Sequence, residues 1–388
     1  MNARRLAIAG AVAAVCVVHA APAAALPTMI RLGYTDCAAC HLSPQGGGPL
    51  NAYGRGIDQA QSLRGGEYKP SAEPWVEALS LGGRVTQDVR TVMQRQDTWA
   101  TDKPGAMVFR PRFMYRNVTS INDAFRVAAT VTAETQSAPR PALSYDPSAQ
   151  ASSLFVNTAL LHYHASQAIE FAAGRDQLPS GVNVPDLALF IKARNRLGYY
   201  DAPAQVKMFW NAKRFHVTPY AYHDTSNTQP DERETGTGTL AEVDVLGNQK
   251  TIVGLSLLHG SATNGDRRTV GGYARLGFGS WGILAEHDVT SRDRLNLLTT
   301  AVPNEFPQSA SYAQVFWAAR EWLVASAIAE RLHVEAPFEE RLTAGKFELA
   351  ARLASQATLG ISTRIQRDAI TGRYTRSIAL QAAFKTVQ

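Results

Sequence analysis

The chain has 388 residues, with 39 Lys and Arg against 33 Asp and Glu and a formal charge of +6. That is room for two ordinary domains or one large all-β unit. The basic residues are spread along the chain, which excludes a nucleic-acid footprint. No run after residue 25 approaches ~20 apolar residues, so no spanning helix is expected. No catalytic triad, phosphate loop or paired-carboxylate site stands out, so hydrolytic and phosphoryl chemistry are unsupported.

Residues 1–25 read as an export signal. Arg4 and Arg5 form a charged start, Leu6 to Ala21 a short apolar stretch, and Ala23-Ala24-Ala25 a small-residue cleavage site before Leu26. The rival reading, a membrane anchor, needs a longer apolar run. Removing this segment takes away Cys16 and lowers the charge from +6 to +4.

The next element is Cys37-Ala38-Ala39-Cys40-His41. This is the C-x-x-C-H pattern of covalent haem attachment. Two thiols at that spacing reach the two vinyl groups of one porphyrin, and the following His41 lies under the iron as proximal ligand. A redox dithiol or half a zinc site shares the first four positions. Only two cysteines remain after export, so a four-cysteine zinc site is excluded. Residues 26–80 are read as a small monohaem c-type module, too short for a substantial core of its own. The stretch Leu42 to Pro49 is dense in Gly and Pro and reads as a tight loop. A short helix is expected over Gly56–Leu63, and Arg55 is a candidate partner for a haem propionate, with a solvated surface role as the alternative.

From residue 81 the period changes to two. Met107, Phe109, Pro111, Phe113 and Tyr115 alternate with Val108, Arg110, Arg112, Met114 and Arg116. Phe125 to Glu134, Gln205 to Trp210, Lys346 to Leu353 and Tyr374 to Lys385 repeat the pattern. Period two is the strand signature. A soluble sandwich alternates in the same way. Segment length, a spacing of about 19 residues per strand and turn, and aromatics near segment ends favour a membrane barrel of about sixteen strands over 81–388. Those aromatics are Trp75, Tyr199-Tyr200, Trp210, Trp281, Trp317 and Trp322. Longer loops are expected at 176–187, 224–238, 290–309 and 334–339.

The fold class is therefore an all-β transmembrane antiparallel barrel preceded by a monohaem module. In this order the chain resembles the fused outer-membrane cytochrome–porins, whose best-known members are bacterial iron oxidases. The resemblance rests on Cys37, Cys40, His41 and the stretch Leu50-Asn51-Ala52-Tyr53-Gly54-Arg55. It implies a protein of the outer membrane that carries one covalent haem c in the lumen or on the periplasmic side. It implies passage of single electrons from an extracellular donor such as Fe(II) to a periplasmic cytochrome, an Fe(II):cytochrome c oxidoreductase activity. The rival readings are a passive porin or structural barrel with a haem docking module, and a soluble periplasmic cytochrome fused to a β-sandwich.

Residues 42–80 contain no His and no Met, so a sixth haem ligand must come from elsewhere. Met29 can fold back. His216 shares a polar face with Thr218 and Tyr220 and is expected in the lumen, and His162 and His164 share a face. Arg110, Arg112, Arg116, Arg126 and Lys207 predict a basic lumen. Asp224, Asp231, Glu232 and Glu234 read as solvated loop charge or as attractors of a ferrous ion.

Overall fold

The computed structural model describes residues 40–41, 50, 52–63, 85–101, 103–134, 154–183, 189–198, 201–224, 233–263, 265–292, 307–335, 339–354 and 357–387. The export signal, Met29, Cys37, Trp75, Tyr199, Tyr200, Asp231 and Glu232 lie outside these residues, as does the Arg55 side chain. The helix α1 spans Ala52–Ala60, four residues earlier than the sequence suggested. Sixteen strands follow: β1 Val85–Ala100, β2 Lys103–Ser120, β3 Phe125–Glu134, β4 Leu154–His164, β5 Ile169–Arg175, β6 Ala204–Asn211, β7 Phe215–His223, β8 Thr235–Asp244, β9 Thr251–Ala262, β10 Gly265–Phe278, β11 Trp281–Arg292, β12 Gln308–Arg320, β13 Leu323–Val334, β14 Glu340–Ala354, β15 Ala357–Asp368 and β16 Tyr374–Val387. A one-turn helix, α2, spans Phe190–Ala193 between β5 and β6.

Each strand pairs antiparallel with its neighbours in sequence, and β1 pairs with β16 from Asp88↔Val387 to Ala100↔Thr375. The sheet is a closed barrel, which excludes the sandwich reading. No described helix is long and apolar enough to cross a membrane.

The alternation decides which side of the wall each residue takes. On β2, Met107, Phe109, Phe113 and Tyr115 are exposed outward, while Met114 and Arg116 are buried inward. On β6, Val206 and Trp210 face out and Gln205, Lys207 and Phe209 face in. The outer face is thus apolar along its length, with Val253, Leu255, Ile361, Ile378 and Leu380 all open to the surroundings. A water-facing surface does not carry so large an apolar patch; a lipid-facing one requires it.

The two ends differ. Connections at the end holding Val85 and Val387 are short, such as 121–124, 165–168, 212–214, 279–280 and 321–322. The long ones, 135–153, 176–203, 224–234 and 293–307, gather at the other end. The β8 strand begins at Thr235, so the third expected loop is shorter than 224–238. Aromatics ring the short-turn end on the outside. Trp281 stacks on Trp317 with centroids 5.7 Å apart, and Trp210 meets Phe215 edge-on at 5.0 Å. Such amphipathic rings settle where hydrocarbon meets headgroups.

An outward Ile361→Arg substitution is expected to destabilise the barrel in lipid by about 2–4 kcal/mol, the cost of an arginine near the bilayer midplane. Equilibrium unfolding from liposomes measures it. A change under about 1 kcal/mol would mean that this face does not meet hydrocarbon.

Candidate functional site in the lumen

A sixteen-stranded barrel encloses more space than wall side chains fill. Here the connection 176–203 turns inward and packs against the inner wall. Val182, Leu189, Phe190 and Ile191 form one apolar cluster with Ile252, Tyr273, Leu284, Tyr312, Phe316, Ile328 and Leu332. Leu178 and Leu197 form a second with Tyr220, Tyr222 and Leu258. The inner wall from β9 to β14 therefore carries an apolar patch, covered by the inturned loop, among polar and charged side chains.

Charges lock the loop in place. Glu286 on β11 accepts from the Lys192 ammonium and from the Val182 amide, each at 2.8 Å. Lys192 also donates to the Ser180 carbonyl at 2.9 Å. Gly181 has φ +49°, and a Cβ there would lie 1.7 Å from a Glu286 carboxylate oxygen, so only glycine fits beside this ion pair. Glu330 on β13 accepts the Phe190 amide at 2.7 Å and pairs with Arg364 at 2.7 Å. Arg364 lies 5.1 Å above the Phe190 ring. Asn195 is fully buried. It donates to Asp288 at 3.0 Å, and its two oxygens accept from Arg267, Gln308 and Thr290.

Asp224 and Glu234 are not the solvated loop charges that the sequence suggested. Both are buried, and they hold Arg196 and Arg267 respectively. Burial works against the Glu234 charge, but Arg267, Arg196 and Arg292 outweigh it and hold the carboxyl below the ordinary range. A carboxylate with a lowered folded value contributes stability above its unfolded pKa, lost as pH falls through the folded value.

The expected basic lumen needs a similar correction. Arg110, Arg112, Arg116, Arg126 and Lys207 do face inward. Four of them meet acids, however: Arg112 with Glu134, Arg116 with Asp88 at 2.8 Å, Arg126 with Glu170 at 2.7 Å, and Lys207 with Asp176 at 2.6 Å. Among the described residues, Arg110 alone of the five makes no ion pair. Those acids were missed because each sits on a different strand or loop from its arginine, and only the register brings them together.

His162, His164 and His216 also face inward, at the short-turn mouth. His162 bonds Glu170 through Nδ1 at 2.5 Å, and His164 lies 3.9 Å from the same carboxylate. His216 is bonded to Asn211 at 2.9 Å. Among the described residues no group of three or more His, Cys, Asp and Glu is placed to hold a metal ion.

Cys40 and His41 lie toward this same mouth. His41 and Leu50 form an isolated antiparallel bridge, so the two ends of the Gly- and Pro-rich stretch meet. A Cβ on Gly54 would lie 2.2 Å from the Cys40 carbonyl oxygen, so α1 lies directly against the motif's backbone. The other end of α1 is fixed to the barrel. Arg352 on β14 lies 3.3 Å from Asp58, its guanidinium donates to Gln61 at 3.4 Å, and its carbonyl accepts the Leu63 amide at 2.8 Å. Arg352 is itself anchored by the Trp322 carbonyl of a short turn. His216 on β7 is seven strands away around the wall, so the described contacts do not bring it to α1.

No family model and no curated protein matches the chain. Solved structures do. The chain is similar to an anion-selective porin from Comamonas acidovorans, with a TM-score of 0.58 and 11% identity over 78% of this chain and 100% of that one. It is similar to the outer-membrane protein OmpT of Vibrio cholerae in its trimer form, at 0.57 and 11% over 78% and 99%. OprB of Pseudomonas putida follows at 0.56 and 9% over 80% and 96%. The fold is thereby that of the outer-membrane porin barrels. The likeness concerns the fold and does not extend to the N-terminal segment's chemistry.

Two outcomes test the site. Glu286→Gln leaves Lys192 buried without its counter-charge, which costs about 3–5 kcal/mol. The loop should then leave the wall and single-channel conductance in planar bilayers should rise; unchanged conductance would show that the loop does not narrow the passage. Acidification below about 4.5 should lower the thermal midpoint of the barrel. Glu234→Gln should flatten that dependence, and an equally steep profile in the variant would remove Glu234 from the account.

Proposed function

We propose that the chain works as an outer-membrane, porin-type barrel with a narrowed lumen, carrying at its periplasmic mouth a haem-bearing segment that docks a periplasmic partner. The observation that carries this reading is the loop 176–203, held on the inner wall by Lys192–Glu286 and by the apolar cluster around Phe190. A barrel closed on itself, apolar outside and constricted inside is suited to restricted diffusion of small solutes. Short turns face the periplasm in such barrels, and the attachment of α1 at the short-turn end supports a periplasmic position for Cys40-His41.

The residues present are compatible with haem c. Cys40 and His41 are adjacent and half-buried, and Gly54 leaves the motif's backbone no competing side chain. Cys37 and Cys40 would hold the porphyrin as thioethers and His41 would lie under the iron, with Arg55 one turn into α1 as the propionate partner. Bound haem would supply one-electron redox chemistry. This supports a second reading, favoured by the pinning of α1 on Arg352. In that reading the barrel passes single electrons between an extracellular donor such as Fe(II) and a periplasmic cytochrome. One haem at one mouth spans little of a ~30 Å core, so this reading also needs a partner on the outer side.

A haem-stained gel of separated membranes tests both. Haem is expected on an outer-membrane band whose mobility shifts with heating, and Cys40→Ser should abolish the stain and keep the shift. A band that shifts but never stains in the wild type would leave a porin without haem. Haem in a soluble periplasmic fraction would overturn the barrel reading. Fe(II)-driven haem reduction in intact cells separates the electron path from the docking role.

A further inference from the structure

The lipid-facing wall of a barrel is convex, and small irregularities are its usual relief. This wall carries a cavity of about 1010 Å³ on its outer side between β4 and β10. It forms where tall residues flank short ones. Tyr163 and Phe171 rise on β4 and β5 and Leu257 on β9, while Pro219, Ala221 and Thr239 lie low between them on β7 and β8. The surface is almost wholly apolar until its far end. There His259 and Arg268, direct cross-strand partners on β9 and β10, line the cavity on the same face. Among the described residues neither side chain makes a hydrogen bond or an ion pair. The nearest acid on that face, Asp266, lies two residues further toward the loop, opposite Ser261, and does not pair with Arg268.

That end is the long-loop rim. Outward positions elsewhere on this rim also carry arginines: Arg331, Arg367 and Arg376, and Arg341, which Glu339 meets. Trp99 and Tyr374 stand beside Arg376 on the same rim. An arginine on a lipid-facing wall is tolerated near the headgroups and is favoured where those headgroups are anionic.

We propose that this cavity is a binding site for one anionic membrane lipid, its acyl chain lying against Pro219, Ala221 and Leu257 and its phosphate held by Arg268 and His259. The proposal rests on the membrane-barrel reading above. Charge complementarity selects this occupant. A second copy of the chain would bring its own rim arginines against Arg268, whereas a phosphate-bearing lipid offers the missing counter-charge and a chain that matches the apolar floor.

The test uses the full chain, purified in detergent, delipidated and checked for a heat-shifted band. Phosphatidylglycerol and phosphatidylcholine with identical acyl chains are the probes, and adducts are counted by native mass spectrometry. One phosphatidylglycerol per barrel is expected, retained about fivefold better than phosphatidylcholine, the size of one basic residue's attraction to an anionic lipid. The double variant His259→Gln, Arg268→Gln should lose the preference between the lipids. Ala221→Trp, which fills the floor, should reduce retention of both. Equal retention of the two lipids by the wild type, or full retention by Ala221→Trp, would overturn the proposal. So would dimers in place of lipid adducts that disappear in Ala221→Trp, since these would give the groove to a second copy. A chain that never shows the heat-shifted band would overturn the membrane reading and the proposal with it.

Discussion

Hydrocarbon offers no water to an unpaired N–H or C=O, so a sheet can cross a membrane only if it has no edge. The pairing of β1 with β16 meets that demand. It joins the first and last strands over thirteen consecutive residue pairs, from Asp88↔Val387 to Ala100↔Thr375. Everything else follows from this closure. Outward side chains must suit lipid, inward ones must suit whatever fills the lumen, and both termini of the barrel are brought to one end.

Closure of sixteen strands creates a second problem, an interior too wide for wall side chains to fill. The chain solves it with 176–203. The loop presents Val182, Leu189, Phe190 and Ile191 to an apolar inner wall and satisfies its buried backbone with Glu286 and Glu330. Burying an ion pair such as Lys192–Glu286 adds little net stability, but removing either partner is costly. Such a pair specifies one position for the loop better than apolar contact alone. On the opposite wall, β1 to β3, acids from other strands balance Arg112, Arg116 and Arg126, while Arg110 has none among the described residues, so the lumen holds mostly paired charges.

The N-terminal segment uses the same economy. It has too few residues for a core, so it borrows the barrel. Arg352 reaches Asp58 and Gln61 while its backbone accepts Leu63, and Gly54 brings α1 against Cys40. Cys40 and His41 are thereby held toward the short-turn mouth.

The period-two pattern of β2, β3, β6, β14 and β16 determined an all-β fold by itself; segment length, spacing and aromatics near segment ends pointed to a barrel over a sandwich, and the pairing of β1 with β16 decided it. The strand number was legible too, since strand length is set by bilayer thickness. The reading of Cys37 to His41 rests on spacing within five residues alone, and it stays a proposal. The strands β9 to β13 were harder to read: Leu284, Tyr312, Phe316 and Leu332 point inward yet are apolar, so both faces look alike until the loop that covers them is placed. The partners of Arg112, Arg116, Arg126 and Lys207 were hidden too. An ion pair across strands depends on register, and register is decided only when the whole sheet closes.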